Sequence, residues 1–154
     1  MAHWLYKSEP SVWSWDQQVA EGAKGTFWNG VRNHLAKLNM IAMKKGDRGL
    51  FYHSNEGKEI VGIVEVIREA YPDPTADPGA PWVAVDLKAV KKLERPVTLA
   101  QVKAEPRLAK MSLVTCMRLS VQPVTDEEWS VVMELAGEGQ AASAKPSKRA
   151  SPKG

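Results

Sequence analysis

Polar and apolar residues alternate from His3 to Lys7, which predicts a first strand with Trp4 and Tyr6 on one face. Lys7-Ser8-Glu9-Pro10 ends it, because proline stops strand pairing and leaves three polar side chains at the strand's end. The period then changes. Ser14 followed by Gln17 is a capping box, opening a short helix that Gly22 closes, with Trp13 and Trp15 packing at its start. Beyond Gly25-Thr26-Phe27, the residues Leu35, Leu38, Ile41 and Ala42 recur at helical spacing up to Met43 and give that helix its apolar row. Lys44-Lys45-Gly46 ends it with positive charge and a glycine. Strands follow over Arg48–Ser54 and, after the turn Asn55-Glu56-Gly57, over Glu59–Tyr71, where Gly62 marks a bulge or a close approach. The four prolines of Pro72–Pro81 predict an irregular loop, and alternation resumes from Trp82 to Leu93. Thr98 with Gln101 and Thr125 with Glu128 are two further capping boxes, for helices over 99–104 and 126–136. Trp129, Val132, Met133 and Leu135 form the core face of the second. Between them, Arg118-Leu119-Ser120-Val121 reads as a short strand closed by Pro123.

At 154 residues the chain fits one domain. Past Gly137 periodicity is lost, so residues 1–137 are expected to fold and 138–154 to form a disordered basic tail. The net charge of +3 changes meaning once it is located. Of 21 Lys and Arg, the tail holds Lys145, Lys148, Arg149 and Lys153, and of 18 Asp and Glu it holds Glu138, which leaves 17 of each sign in the body. A neutral body argues against a long electrostatic groove for duplex DNA and for a grip on a nucleotide or two. No apolar run approaches the roughly 18 residues of a membrane span, and the start of the chain has no apolar signal core. The expectation is a soluble cytoplasmic protein. The single Cys116 has no disulfide partner and reads as a small buried thiol.

Three polar clusters sit beside regular elements: Lys7-Ser8-Glu9, the stretch Trp28-Asn29-Gly30-Val31-Arg32-Asn33, and Tyr52-His53-Ser54. The middle one combines a stacking face, two amides and a guanidinium fork at a helix N-terminus. Two readings fit it: a loop in which Asn29 or Asn33 caps the next helix, or a pocket for a flat, hydrogen-bonding ligand. His53 is either a satisfied surface histidine or a working one, and Trp82 either packs or supplies a second pocket wall. The three histidines lack metal-ligand spacing, and no phosphate-binding loop, dinucleotide fingerprint or nucleophile elbow occurs, so neither metal nor cofactor is expected.

The same clusters carry a family resemblance. Trp4-Leu5-x-Lys7-Ser8-Glu9-Pro10, Trp28 to Asn33, Phe51-Tyr52-His53-Ser54, Gly62-Ile63-Val64 and Arg118-Leu119-Ser120-Val121-x-Pro123-Val124 together resemble the EVE domain over residues 3–136, similar to the thymocyte nuclear protein group. The resemblance implies an α+β, PUA-like fold, a small curved or barrel-like mixed sheet flanked by helices, distantly related to the YTH readers of methylated adenine. It also implies a non-catalytic reader that binds a modified nucleobase in an aromatic-lined pocket, with modified cytosine in DNA the leading candidate and a modified base in RNA the other. The partner is then a nucleic acid carrying that base; the oligomeric state is left open by the sequence, with a monomer the favoured expectation. By position, Trp28 becomes a cage wall, with Ser8, Asn29 and the strand end Tyr52, His53 and Ser54 around the base; Lys7, Gly30, Val31, Arg32 and Asn33 of the same clusters complete the candidate site, and Trp82 is taken as the opposing wall from its place after the proline-rich loop. The alternative is an RNA-modifying or RNA-processing enzyme, or a subunit of one, with His53 as general base.

Overall fold

The first strand, β1 (His3–Ser8), lies in the sheet between β6 (Val121–Val124) and β3 (Arg48–His53). From β3 the sheet continues through β4 (Glu59–Pro72) and β5 (Val83–Thr98) to β2 (Thr26–Trp28), giving six strands in the order β2-β5-β4-β3-β1-β6. β1 and β3 are parallel and the other pairings antiparallel. The parallel pair needs a crossover, and α1 (Trp15–Ala20), β2 and α2 (His34–Ala42) make it. The computed structural model describes residues 2–137 except 30, 55, 56 and 117. The expected tail over 138–154, Gly30, and Asn55 and Glu56 of the predicted turn lie outside the described residues.

Strand alternation builds two cores. Trp4, Tyr6, Phe51, Val64 and Val66 face one side of the sheet, where Trp15 of α1 and Ala36 and Met40 of α2 cover them. Leu5, Leu50, Tyr52, Ile60 and Ile63 face the other, under α3 (Leu99–Ala104), α4 (Ser112–Thr115) and α5 (Asp126–Leu135), which contribute Val102, Leu113, Val131 and Val132. All three predicted capping boxes form, at Ser14/Gln17, Thr98/Gln101 and Thr125/Glu128. Gly62 serves both of its expected roles. The strand registers shift beside it, and a Cβ there would meet the Trp15 ring at 2.4–2.6 Å, so the indole lies flat on the bare backbone.

Several expectations need correction. The helix over α2 is present, but its predicted apolar row is the wrong face: Leu35, Leu38 and Ile41 are 53%, 57% and 50% exposed, while Ala36 and Met40 are buried. Small Ala36 lets the helix approach the sheet closely, and Asn39 Nδ2 donates to the Val121 carbonyl at 2.8 Å, which fixes its roll. The strand expected over 118–121 instead spans Val121–Val124 and contains Pro123. Paired among the described residues with β1 alone, β6 is an edge strand and tolerates a residue without an N–H. β5 runs on to Thr98, past the expected end at Leu93, because Val97 and Thr98 pair with Ile60 and Glu59. No strand is predicted over Thr26–Trp28, which forms β2 by pairing with Leu87, Asp86 and Val85; three residues are too few to display a period. The short α4 was not expected. Cys116 caps it and is exposed, not buried.

Candidate functional site

A cavity of about 490 Å³ opens on the α1/α2 side, at the C-terminal end of β1. It is lined by Lys7, Ser8 and Glu9 at the end of β1, by Val12 and Trp13, by Thr26–Asn29 with Val31 and Arg32, and by Ser120.

Trp13 reaches the cavity because the chain after Pro10 turns back on itself. The amides of Val12 and Trp13 both donate to the Glu9 carbonyl at 2.9 Å, and Ser8 Oγ donates to the Trp13 carbonyl at 2.5 Å. Its indole Nε1 donates to Gln18 Oε1 at 2.9 Å, and the fully buried Gln18 donates through Nε2 to the Leu87 carbonyl at 3.0 Å. The wall is thereby hydrogen-bonded, through one amide, to β5. Trp28, on β2, is half-buried and packs edge-on against Tyr6 and Phe51 with centroids 5.5 and 5.8 Å apart.

Behind Trp28 the proline-rich loop fastens the segment. Arg32 Nη1 pairs with Asp73 Oδ2 at 3.1 Å, and the Asp73 side chain is fully buried. Asp73 Oδ1 accepts from the Thr75 amide and hydroxyl at 2.7 and 2.6 Å, and Thr75 Oγ1 accepts from Asn29 Nδ2 at 3.1 Å. Asn29 and Arg32 are therefore held from outside the cavity that they line. Burial pushes the Lys7 ammonium below its usual range, with Cys116 acting in the opposite sense.

Of the residues singled out in the sequence, Lys7, Ser8, Trp28, Asn29, Val31 and Arg32 come together here. Asn33 is instead the N-cap of α2, its Oδ1 accepting from the Ala36 amide at 2.9 Å. Tyr52 faces the opposite core, since it is one residue out of phase with Phe51. Ser54 donates its amide to the Ser8 carbonyl at 2.9 Å, and its side chain is not part of the lining. Trp82 is not the opposing wall. It lies three residues before the partner of Trp28 on β5, about 10 Å along the strand, and packs against His34 with Arg32 and Lys37 at its ring face. Trp13, which the sequence predicts only to pack, does line the cavity, with Gln18 as its anchor. The proximity of Trp13 to the polar end of β1 is the one hint the sequence contains.

His53 Nε2 accepts from the Trp15 amide at 3.1 Å, so its lone pair satisfies the first turn of α1. Burial holds its pKa below 6.5 against the opposing pull of Glu59 and Asp16. A group that is harder to protonate folded than unfolded stabilises the fold above its unfolded pKa, near 6.5, and that contribution is lost as pH falls through the lower folded value. His53→Gln should accordingly flatten the dependence of melting temperature on pH just below 6.5; an unchanged slope means that another group carries it.

The EVE domain matches residues 2–135. The chain belongs to the EVE domain family. This EVE domain is 64% identical to a protein of Rhodopseudomonas palustris solved by NMR, with a TM-score of 0.87 over 95% of this chain and 100% of that one. It is 36% identical over 167 residues to thymocyte nuclear protein 1 of Gallus gallus, covering 88% of this chain and 69% of the relative. A crystal structure of human THYN1 protein in complex with 5-methylcytosine containing DNA is 33% identical, with a TM-score of 0.81 over 95% of this chain and 100% of that one. The six-stranded sheet with helices on both faces is thus the α+β, PUA-like fold of these EVE proteins. The expected cytoplasmic location is corrected by the same relatives, whose name, thymocyte nuclear protein 1, is that of a nuclear protein.

Proposed function

We propose that this EVE domain is a non-catalytic reader of modified cytosine in DNA that takes the base into the cavity between Trp13 and Trp28. The observation that carries this is two indoles lining one cavity of about 490 Å³ with Ser8, Asn29 and Arg32 beside them. That volume is in the range of roughly 300–1,000 Å³ usual for small-ligand sites. The structure of human THYN1 with 5-methylcytosine containing DNA supports the choice of base.

The energetics fit a read base. Lifting a base out of a stack costs a few kcal/mol, and stacking on an aromatic side chain returns about 1–3 kcal/mol. Ser8 spends its hydroxyl hydrogen on the Trp13 carbonyl, so its oxygen is left to accept, as the exocyclic amine of cytosine requires. Asn29 gives one amide hydrogen to Thr75 and keeps its carbonyl oxygen for a second acceptor role. A buried methyl contributes roughly 0.8 kcal/mol, so selectivity for the modification is several-fold unless a polar group adds to it.

Calorimetric titration with short single-stranded DNA and RNA containing 5-methylcytosine or cytosine, and with the free nucleosides, tests the reading. The modified DNA strand should bind several-fold more tightly than its unmodified twin. Equal affinities for the two would overturn it, and a preference confined to RNA would move the same cavity to the other nucleic acid.

A further inference from the structure

We propose that Val12 and Phe27 are an apolar wedge that enters the base stack of duplex DNA and occupies the space a flipped base leaves. The inference rests on the base-reading role of the cavity and adds a second contact, made with the duplex rather than with the base.

Val12 is 71% exposed and Phe27 40% exposed, although both line the cavity. Each stands one residue before a wall: Val12 before Trp13, Phe27 before Trp28. Consecutive Cα atoms are about 3.8 Å apart, so each backbone stands beside a wall, Val12 in the turn before Trp13 and Phe27 on β2 with its side chain out of phase with Trp28. Both sit on fixed backbone. The Val12 amide is bonded to the Glu9 carbonyl at 2.9 Å, and Phe27 is paired with Asp86 in the sheet. Leu35 and Leu38 are exposed as well, but they belong to α2 and do not line this cavity.

A base in a duplex is stacked on both faces, and its removal opens a gap that the helix closes by restacking. Apolar side chains inserted at a base step hold such a gap open and lose their own contact with water. A single strand has no opposite strand and no gap to keep open. The wedge therefore has a signature that a simple lining residue lacks: it matters for duplex and not for single strand.

The test compares wild type with Val12→Ser, Phe27→Ser and the double variant. Each is titrated against one sequence carrying a single 5-methylcytosine, as a duplex and as a single strand, with melting temperatures recorded for every protein. The double variant should lose about tenfold more affinity for the duplex than for the single strand, from the apolar burial forfeited at the base step, any loss on the single strand being the share of Val12 and Phe27 in lining the cavity. Val12→Leu and Phe27→Leu should restore duplex binding. Equal losses on both substrates, or no loss on the duplex, overturn the wedge. A wild-type protein that does not distinguish modified from unmodified single strand sinks the base site itself, so the two failures are told apart by the single-strand titration.

Discussion

Trp28→Ala should weaken binding of a 5-methylcytosine strand by about 1–3 kcal/mol, the worth of one base stack, and lower stability as well. The second effect follows from the edge contacts of Trp28 with Tyr6 and Phe51, which make it part core and part wall. Full truncation of a buried Trp costs about 3–5 kcal/mol, so a half-buried one should cost roughly 2. Trp28→Phe separates the contributions, since it keeps a ring against the core and offers a smaller face to the base. Affinities measured well below each melting temperature, with the two losses falling in different proportion across the variants, would support the dual role. If affinity merely tracks stability, Trp28 is core alone.

Gln18→Leu should be nearly as damaging, although Gln18 does not line the cavity. The substitution keeps the volume and removes two hydrogen bonds, leaving the Leu87 carbonyl and the Trp13 indole N–H without the amide that joins them. Each buried polar group so stranded costs about 1–3 kcal/mol, and a total near 3 is expected. The functional loss should be distinctive: Trp13 becomes free to rotate, so the fluorescence of the unliganded protein should shift while the secondary structure holds. A melting temperature and a base affinity both equal to wild type would mean that water replaces the amide and the wall needs no anchor.

Much of this fold was legible because its signals are local. Ser14, Thr98 and Thr125 open helices through side chains only three residues away, and Pro72–Pro81 breaks the sheet through ring geometry. What was misread depends on distant partners. Leu35, Leu38 and Ile41 form as good an apolar row as Ala36 and Met40 do, and only the approach of α2 to the sheet decides which is buried. Half of the site was legible for the same reason: Ser8, Trp28 and Asn29 belong to short clusters of unlike polar and aromatic residues. Trp13 is placed by the turn to Ser8 and Glu9 and by Gln18, all near it in sequence, but the bond from Gln18 to Leu87 that ties it to the sheet is not, and Trp82 lost its expected place to the register of β5.

Among the described residues the strand β2 has β5 as its one ladder partner, with Trp28 set opposite Val85 and the Gln18 amide bonded to Leu87 of the same strand. Both indoles thus lie within the first third of the chain, yet the strand that carries Trp28 and the amide that anchors Trp13 are tied to the sheet by β5, in the middle of the chain. Contacts so distant in sequence form late, because the loop must be closed before any of them is made. A nascent chain or proteolytic fragment that stops short of β5 carries both tryptophans and no cavity. No N-terminal piece that ends before β5 should therefore retain even a weakened form of the recognition.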